Sequence, residues 1–146
     1  MIGKGHSGAL VTIVERKTKF TVSMRINDKT AETVTAATLA LLTPFKDSVL
    51  TITADNGKEF AYHERIARAL DAKVNFADPY SSWQRGLNEN TNGLLRQYWP
   101  KLTDFKTISQ KEASTVIAEL NKRPRKMLGY ETPAKLMAEH MALLRA

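Results

Sequence analysis

The sequence contains no cysteine, which excludes disulfides, thiolate-ligated metals and thiol catalysis. It also has no apolar run of about eighteen residues, the length that a membrane-spanning helix needs. Residues 1–6 lack the apolar stretch of a secretory signal. With only 7 glycines and 5 prolines among 146 residues, the chain is not of low complexity. We therefore expect one soluble, intracellular domain over residues 1–146.

Positive charge is the first indication of a partner. The chain carries 22 Lys and Arg against 15 Asp and Glu, a net charge of +7. Residues 1–30 hold six basic and two acidic residues, residues 85–135 hold ten and five, and the segment between them holds five and seven. Such a surface suits a phosphate-bearing partner, although many small proteins are basic without binding nucleic acid. An acidic segment between two basic ones fits a metal-dependent enzyme that acts on nucleic acid.

Hydrophobic patterning predicts an alternation of strands and helices. β-branched and alternating apolar residues indicate strands at 9–14, 20–26, 49–54 and 73–76, the first two as a hairpin. Helical spacing indicates helices at 30–42, 59–70, 83–99, 108–120 and 133–144. Strands separated by helices after an opening hairpin predict a mixed α/β sheet with helices on both faces.

Asp55 is the first candidate site residue. It directly follows the predicted strand 49–54, at the edge of the sheet where α/β proteins commonly place ligands. The sequence Asp55-Asn56-Gly57 is also one of the strongest turn formers. Taken alone, it favours a turn over a site.

Glu89 is the second candidate, on the predicted helix 83–99. Glu89, Gly93 and Arg96 share one face of that helix, and Arg85 one turn earlier could form an ordinary ion pair with Glu89. Three asparagines and two glycines lower the helix propensity of this segment by about 3 kcal/mol relative to alanine. Such a conflict with the helical pattern is typical of a functional constraint. The stripe expected to face the core is Leu87, Thr91, Leu94 and Tyr98.

Several strings together resemble the DDE transposase and retroviral-integrase superfamily. Two of them are DNGxEF at 55–60 and PYSSWQRGxNE at 79–89, with Asp55 and Glu89 34 positions apart. The branch that the chain resembles most is that of bacterial insertion-sequence transposases of the IS-thirty family. The strings that indicate this branch are ERKTKF at 15–20, YWPKxTDF at 98–105, LNxRPRK at 120–126, LG at 128–129 and TP at 132–133.

The resemblance implies a ribonuclease-H-like fold, with a mixed five-stranded sheet and helices on both sides. It implies a polynucleotidyl transferase that cuts and joins DNA at insertion-sequence ends, in the bacterial cytoplasm and as a homo-oligomer, with no role for a membrane. Three carboxylates would hold two divalent cations, Mg²⁺ or Mn²⁺, because such hard ions select oxygen ligands. Asp55 would be the second carboxylate and Glu89 the third. Both are therefore expected catalytic residues and metal ligands.

Candidate DNA contacts lie near the two carboxylates and in the basic half of the chain. The nearer set is Lys58, Arg85, Asn88, Arg96 and Lys101. Further along, Lys122, Arg123, Arg125 and Lys126 form a basic cluster that could contact the DNA backbone. Each of these charges could equally be a solvated surface group.

The first carboxylate of the implied triad is not in this sequence at the expected place. It would precede the segment matching residues 2–6, and residues 1–14 contain no Asp or Glu. We expect the chain to begin a residue or two after it, without the family's N-terminal helix-turn-helix region. Asp28, Glu59 and Asp78 do not occupy the corresponding place in the order of elements.

Two functions therefore stay open. One is the catalytic core of a transposase, and the other is a catalytically incomplete DNA-binding or oligomerisation fragment of such an enzyme. A flavodoxin-like regulator with Asp55 as phosphate acceptor fits less well, because its parallel strand order conflicts with the opening hairpin.

Overall fold

The structure, a computed structural model, describes residues 8–54, 57–76 and 86–145, with the backbone alone for 86–89 and 145. The strands are β1 Ala9–Val14, β2 Thr21–Ile26, β3 Thr51–Ala54 and β4 Lys73–Phe76. The helices are α1 Ala31–Leu42, α2 His63–Leu70, α3 Gly86–Leu95, α4 Gln110–Asn121 and α5 Pro133–Arg145. The predicted order of strands and helices is confirmed.

The strands form two pairs. β1 and β2 are antiparallel, with Ala9 opposite Ile26 and Val14 opposite Thr21. β3 and β4 are parallel, with Ala54 opposite Phe76. The described ranges thus hold four strands in two separate pairs, and the predicted five-stranded sheet is not seen in them.

Helices cover both faces of the hairpin, as predicted. Both faces of β1 are therefore buried. Leu10 packs with residues of α3 and α4, whereas Ala9 packs with Val34 and Ala37 of α1. Ile13 joins a third cluster that also contains Ile52 of β3 and residues of α2 and β4. The two strand pairs therefore share this third hydrophobic cluster.

Helix α4 closes the outer edge of β2. The Asn121 side chain accepts a hydrogen bond from the Thr21 N–H at 2.9 Å and donates to the Thr21 carbonyl at 2.8 Å. At the other end of α4, Gln110 accepts from the Arg25 N–H at 2.8 Å. These amides satisfy backbone groups that an edge strand otherwise leaves open to pairing with another chain.

The ERKTKF string forms the turn of the hairpin. The Glu15 carboxylate accepts hydrogen bonds from the Thr18 N–H at 2.6 Å and from the Thr18 hydroxyl at 2.7 Å. Lys19 takes a left-handed conformation with a φ of 63°. The Thr18 hydroxyl lies 3.8 Å from the Met137 sulfur of α5, so this turn is packed against the last helix.

Candidate functional site

Asp55 follows the buried end of β3. Ala54, the last residue of β3, is buried and pairs in register with Phe76, the last residue of β4. Both strands therefore end at one edge, the carboxyl edge of this parallel pair, where α/β proteins commonly bind ligands. Asp55 itself lies outside the described residues, so its side-chain geometry stays a prediction.

The segment after Asp55 is a tight turn held by Glu59. A Cβ atom on Gly57 would lie 2.5 Å from a Glu59 carboxylate oxygen, so only glycine fits while Glu59 keeps this position. Glu59 also pairs with Lys29 at 3.1 Å. Phe60 packs against the cluster formed by the hairpin and α1. Gly57, Glu59 and Phe60 of the DNGxEF string thus anchor the described segment that begins two positions after Asp55.

The Glu59 carboxylate is charged in this arrangement. Burial raises the pKa of Glu59, but hydrogen bonds from its own backbone N–H and from Lys29 outweigh that effect, and the net shift is downward. Its ion pair with Lys29 gives Glu59 a structural role on the described turn.

Helix α3 has one buried and one open face. Thr91, Leu95 and Trp99, spaced by four residues, are almost fully buried, and Leu94 and Tyr98 pack only partly against the same cluster. The predicted core-facing stripe is therefore wrong in its second half, where Leu95 and Trp99 are the buried residues in place of Leu94 and Tyr98. The reason is that α3 lies against both Leu10 of β1 and helix α4. The side chain of Leu87 lies outside the described residues.

The open face of α3 is the one expected to carry Glu89. Gly93 is exposed, and no described atom lies within 4 Å of a Cβ atom built on it. Helical periodicity places Glu89 one turn before Gly93 and away from the buried residues Thr91 and Leu95. The side chains of Glu89 and Asn88 lie outside the described residues, so their contacts stay predictions.

The predicted DNA contacts have different surroundings. Lys58 and Lys101 are exposed, and neither forms an ion pair with a described residue. Arg96 is half-buried, and its guanidinium donates to the carbonyls of Trp99 at 3.4 Å and Pro100 at 3.2 Å. Arg96 therefore stabilises the end of α3, a role that its place in the sequence did not indicate. Arg85 lies outside the described residues.

α3 is shorter than the predicted helix 83–99. It ends at Leu95, and the chain then forms turns up to Pro100. A residue before proline is disfavoured in the helical region, which explains why the helix ends upstream of Pro100. Residues 83–85 lie outside the described ranges.

A feature that sequence reasoning missed is the contact between Arg123 and the turn that follows α3. Arg123 donates hydrogen bonds to the Tyr98 hydroxyl and, at 3.4 Å, to the Gln97 amide oxygen. Its guanidinium carbon also lies 5.3 Å from the centre of the Tyr98 ring. The basic character of residues 122–126 was the only signal of this in the sequence.

Within the described ranges, no three His, Asp or Glu side chains lie close enough to hold a metal ion. The proposed ligands Asp55 and Glu89 are outside this search. As carboxylates they are the kind of oxygen donor that Mg²⁺ and Mn²⁺ accept. None of the helices that the structure describes has the length and apolarity to cross a bilayer.

Known proteins with related sequences are transposases. The integrase core domain family matches this chain over residues 2–82. The transposase for insertion sequence element IS4351 of Bacteroides fragilis is 49% identical over 133 residues, which are 91% of this chain and 41% of the relative. Transposase InsI for insertion sequence element IS30C of Escherichia coli K12 is 41% identical over 138 residues, 92% of this chain and 35% of the relative. The chain thus spans about two fifths of the length of these curated relatives.

A related solved structure is the catalytic core domain of BIV integrase. It superposes with a TM-score of 0.66 at 20% identity, covering 97% of this chain and 93% of that chain. The likeness confirms the predicted ribonuclease-H-like fold, and the sequence matches confirm the predicted resemblance to insertion-sequence transposases.

Proposed function

Since the chain belongs to the integrase core domain family, we propose that it is the catalytic core of a bacterial insertion-sequence transposase. Its substrates would be the DNA ends of the element and the target DNA. The observation that carries the proposal is the position of Asp55, directly after the buried end of β3 and before a turn that Glu59 holds in place.

The proposed chemistry is cleavage and joining of phosphodiester bonds. Integrase-type cores depend on metal ions in general, and in this chain Asp55 and Glu89 would hold Mg²⁺ or Mn²⁺ through their carboxylate oxygens. A pair of such ions supplies charge stabilisation for both the attacking and the leaving oxygen. The chain's own task would be to keep the two carboxylates ionised and fixed, Asp55 close in sequence to the segment that Glu59 anchors and Glu89 on a helix packed into the core.

Lys58 and Lys101 support the proposal as phosphate contacts. Both are exposed, and neither is neutralised by a described carboxylate, so each ammonium group is available to a DNA backbone. Arg96 would act mainly through the end of α3, because its guanidinium is already bound to two carbonyls. Contacts from Arg85 and Asn88, and assembly into a homo-oligomer on paired DNA ends, stay predictions.

A DNA-binding or oligomerisation fragment without catalysis is the alternative. The observation that favours it is that residues 1–14 contain no Asp or Glu, so the first carboxylate of the implied triad is not found at the place where the family implies it. Two carboxylates alone would bind Mg²⁺ weakly, because this ion is strongly hydrated.

The test is nicking and joining of labelled insertion-sequence-end DNA with Mg²⁺ or Mn²⁺, by the full-length protein and by residues 1–146 alone. We expect cleavage by the full-length protein, lost on Asp55→Ala. Cleavage by the full-length protein alone would mean that catalysis needs residues outside 1–146, either for a further carboxylate or for DNA recognition. DNA binding without cleavage by either protein would favour the alternative.

Gly93 gives a prediction about the open face of α3. Alanine there meets no described atom, so Gly93→Ala should raise the free energy of unfolding by about 0.5–1 kcal/mol, as for an exposed helical glycine. If DNA approaches this face closely, the added methyl group should nevertheless slow strand joining by about tenfold or more. Thermal denaturation and a joining assay on the same preparation measure the two effects.

Gly129→Ala is the matched control for the thermal denaturation alone. Gly129 also has no described atom near a Cβ atom, but its φ of 63° disfavours alanine, so this substitution should be destabilising. A more stable Gly93→Ala variant with unchanged joining would show that nothing approaches α3 closely at this position.

A further inference from the structure

The segment after α4 forms a compact loop with an exposed tip. Arg125 begins it and Glu131 ends it, and the Arg125 N–H donates to the Glu131 carbonyl at 3.0 Å. The Tyr130 N–H donates back to the Arg125 carbonyl at 2.8 Å. A single 3-10 turn at Lys126–Leu128 fills the interior of the loop. The base of this loop is therefore fixed by backbone hydrogen bonds.

The loop and the residues before it carry four cations without matching anions. Lys122, Arg123, Arg125 and Lys126 fall within five positions. In the described part of the chain, none of them forms an ion pair. Of the two flanking acids, Glu131 pairs with Lys135 at 3.0 Å instead, and Glu119 forms no ion pair with a described cation. The positive charge of this surface is thus available to an external anion.

Arg125 is the least satisfied of these cations. It is half-buried, its Nε atom is buried without a hydrogen-bond partner, and its terminal nitrogen reaches only the Leu120 carbonyl, at 3.4 Å. Burial lowers the pKa of Arg125, and the charge of Arg123 lowers it further. A partly desolvated guanidinium with an unsatisfied Nε atom and one long hydrogen bond is destabilising for the fold, and a bound phosphate would supply the missing acceptors.

The loop also presents an aromatic ring to solvent. Tyr130 is 69% exposed and has a φ of 66°, next to Gly129 at 63°. A left-handed conformation is uncommon for a tyrosine, and backbone strain of this kind tends to occur at functional positions. A tyrosine in the same loop as arginines without ion-pair partners is typical of nucleic-acid binding. The ring stacks on bases while the cations bind the backbone.

We propose that Lys122–Glu131 is a DNA-docking loop, in which Arg123 and Arg125 bind phosphates of the backbone and Tyr130 stacks on a base or deoxyribose. The inference rests on the proposed function, since that function makes DNA the phosphate-bearing partner. Arg123 has a second task, because its bonds to Tyr98 and Gln97 join the loop to the end of α3. Contact with the loop would thereby orient DNA relative to the helix that carries Glu89.

Binding of a labelled duplex to the full-length protein tests the loop, with chelator present so that catalysis plays no part. Arg125→Gln should weaken binding about tenfold and reduce the slope of log K against log salt by about 0.9, the value for one lost phosphate contact. Arg125→Lys should keep the slope. Tyr130→Ala should weaken binding about fivefold or more and Tyr130→Phe hardly at all, because phenylalanine still stacks.

Lys111→Gln is the matched control. Lys111 is an exposed cation in the first turn of α4, about 15 Å along the helix from Asn121, the last residue before the loop, by the rise per residue. Lys111→Gln removes the same charge as Arg125→Gln does, and we expect it to lower the affinity for DNA less than twofold.

The thermal midpoint distinguishes docking from a structural role. Arg125→Gln should melt at or above the temperature of the unsubstituted protein, because the arginine it replaces has a buried, unsatisfied Nε atom and only one long hydrogen bond. A lower midpoint with an unchanged salt slope would overturn the proposal, as would binding by Tyr130→Ala that equals the unsubstituted protein. If the unsubstituted protein does not bind DNA at all, the proposed function itself fails, a result that differs from loss of the loop effect alone.

Discussion

Asp55→Asn in the full-length protein is expected to reduce DNA cleavage and joining by about 10³-fold or more, because a lost metal ligand removes several kcal/mol of transition-state stabilisation. The substitution keeps the size of the side chain and its tendency to form a turn. It removes the negative charge that would hold the cation. The measurement is the rate of strand joining at saturating Mg²⁺ and at saturating Mn²⁺.

DNA affinity in chelator separates loss of chemistry from loss of binding. Asp55→Asn should bind at least as tightly as the unsubstituted protein, since one negative charge facing the phosphates is gone. Asp71→Asn provides the matched control, because Asp71 is exposed at the end of α2 and its φ of 49° suits asparagine. It should change the joining rate less than twofold. Full activity of Asp55→Asn would remove Asp55 from the metal site.

Phe105→Ala should lower the free energy of unfolding by about 3–5 kcal/mol, the usual effect of removing a buried phenyl ring. Phe105 is completely buried and meets the Trp99 ring edge-on at a centroid distance of 6.0 Å. It belongs to the cluster that holds Leu95 of α3 and Leu120 of α4. Because α3 is fixed through this cluster, the helix carrying Glu89 should also lose its position. Urea denaturation measures the loss.

The control for Phe105→Ala is Leu102→Ala, three positions earlier. Leu102 is 75% exposed, so truncating it should change stability by less than about 0.5 kcal/mol. Equal effects of the two substitutions would mean that Phe105 does not organise the core as described.

The hairpin and α4 were predictable because their signals are local. Alternating apolar residues indicate β1 and β2, and Ser109 begins α4 with a side-chain hydrogen bond from the Glu112 N–H at 3.0 Å. Such a cap is written in the sequence as Ser followed three residues later by Glu. Both elements accordingly lie within a residue or two of their predicted bounds.

Elements shaped by tertiary contacts were predicted less well. The predicted helix 59–70 begins only at His63, because Glu59 turns back onto Gly57 and Lys29. The predicted strand 49–54 begins at Thr51, after a 3-10 segment at Thr43–Ser48. In both cases the pattern of apolar residues includes positions at which the structure has a local turn in place of the predicted element.

In the candidate site, too, features with local signals were predictable and features that depend on tertiary contacts were not. The sequence places Asp55 after a strand and Glu89 on a helix, and the described parts of β3 and α3 agree with both placements. The bonds of Arg96 to backbone carbonyls and the unsatisfied Nε atom of Arg125 depend on how the chain packs in three dimensions. No local pattern in the sequence carries that information.

The central claim is that Asp55 and Glu89 share a metal site. The most direct measurement is a crystal structure of the full-length protein soaked with Mn²⁺, with the ion located by its anomalous scattering. We predict Mn²⁺ bound by both carboxylates, which should lie within about 10 Å of each other because ions held about 4 Å apart must share these ligands. Well-ordered carboxylates much farther apart, or Mn²⁺ bound elsewhere, would contradict the assignment.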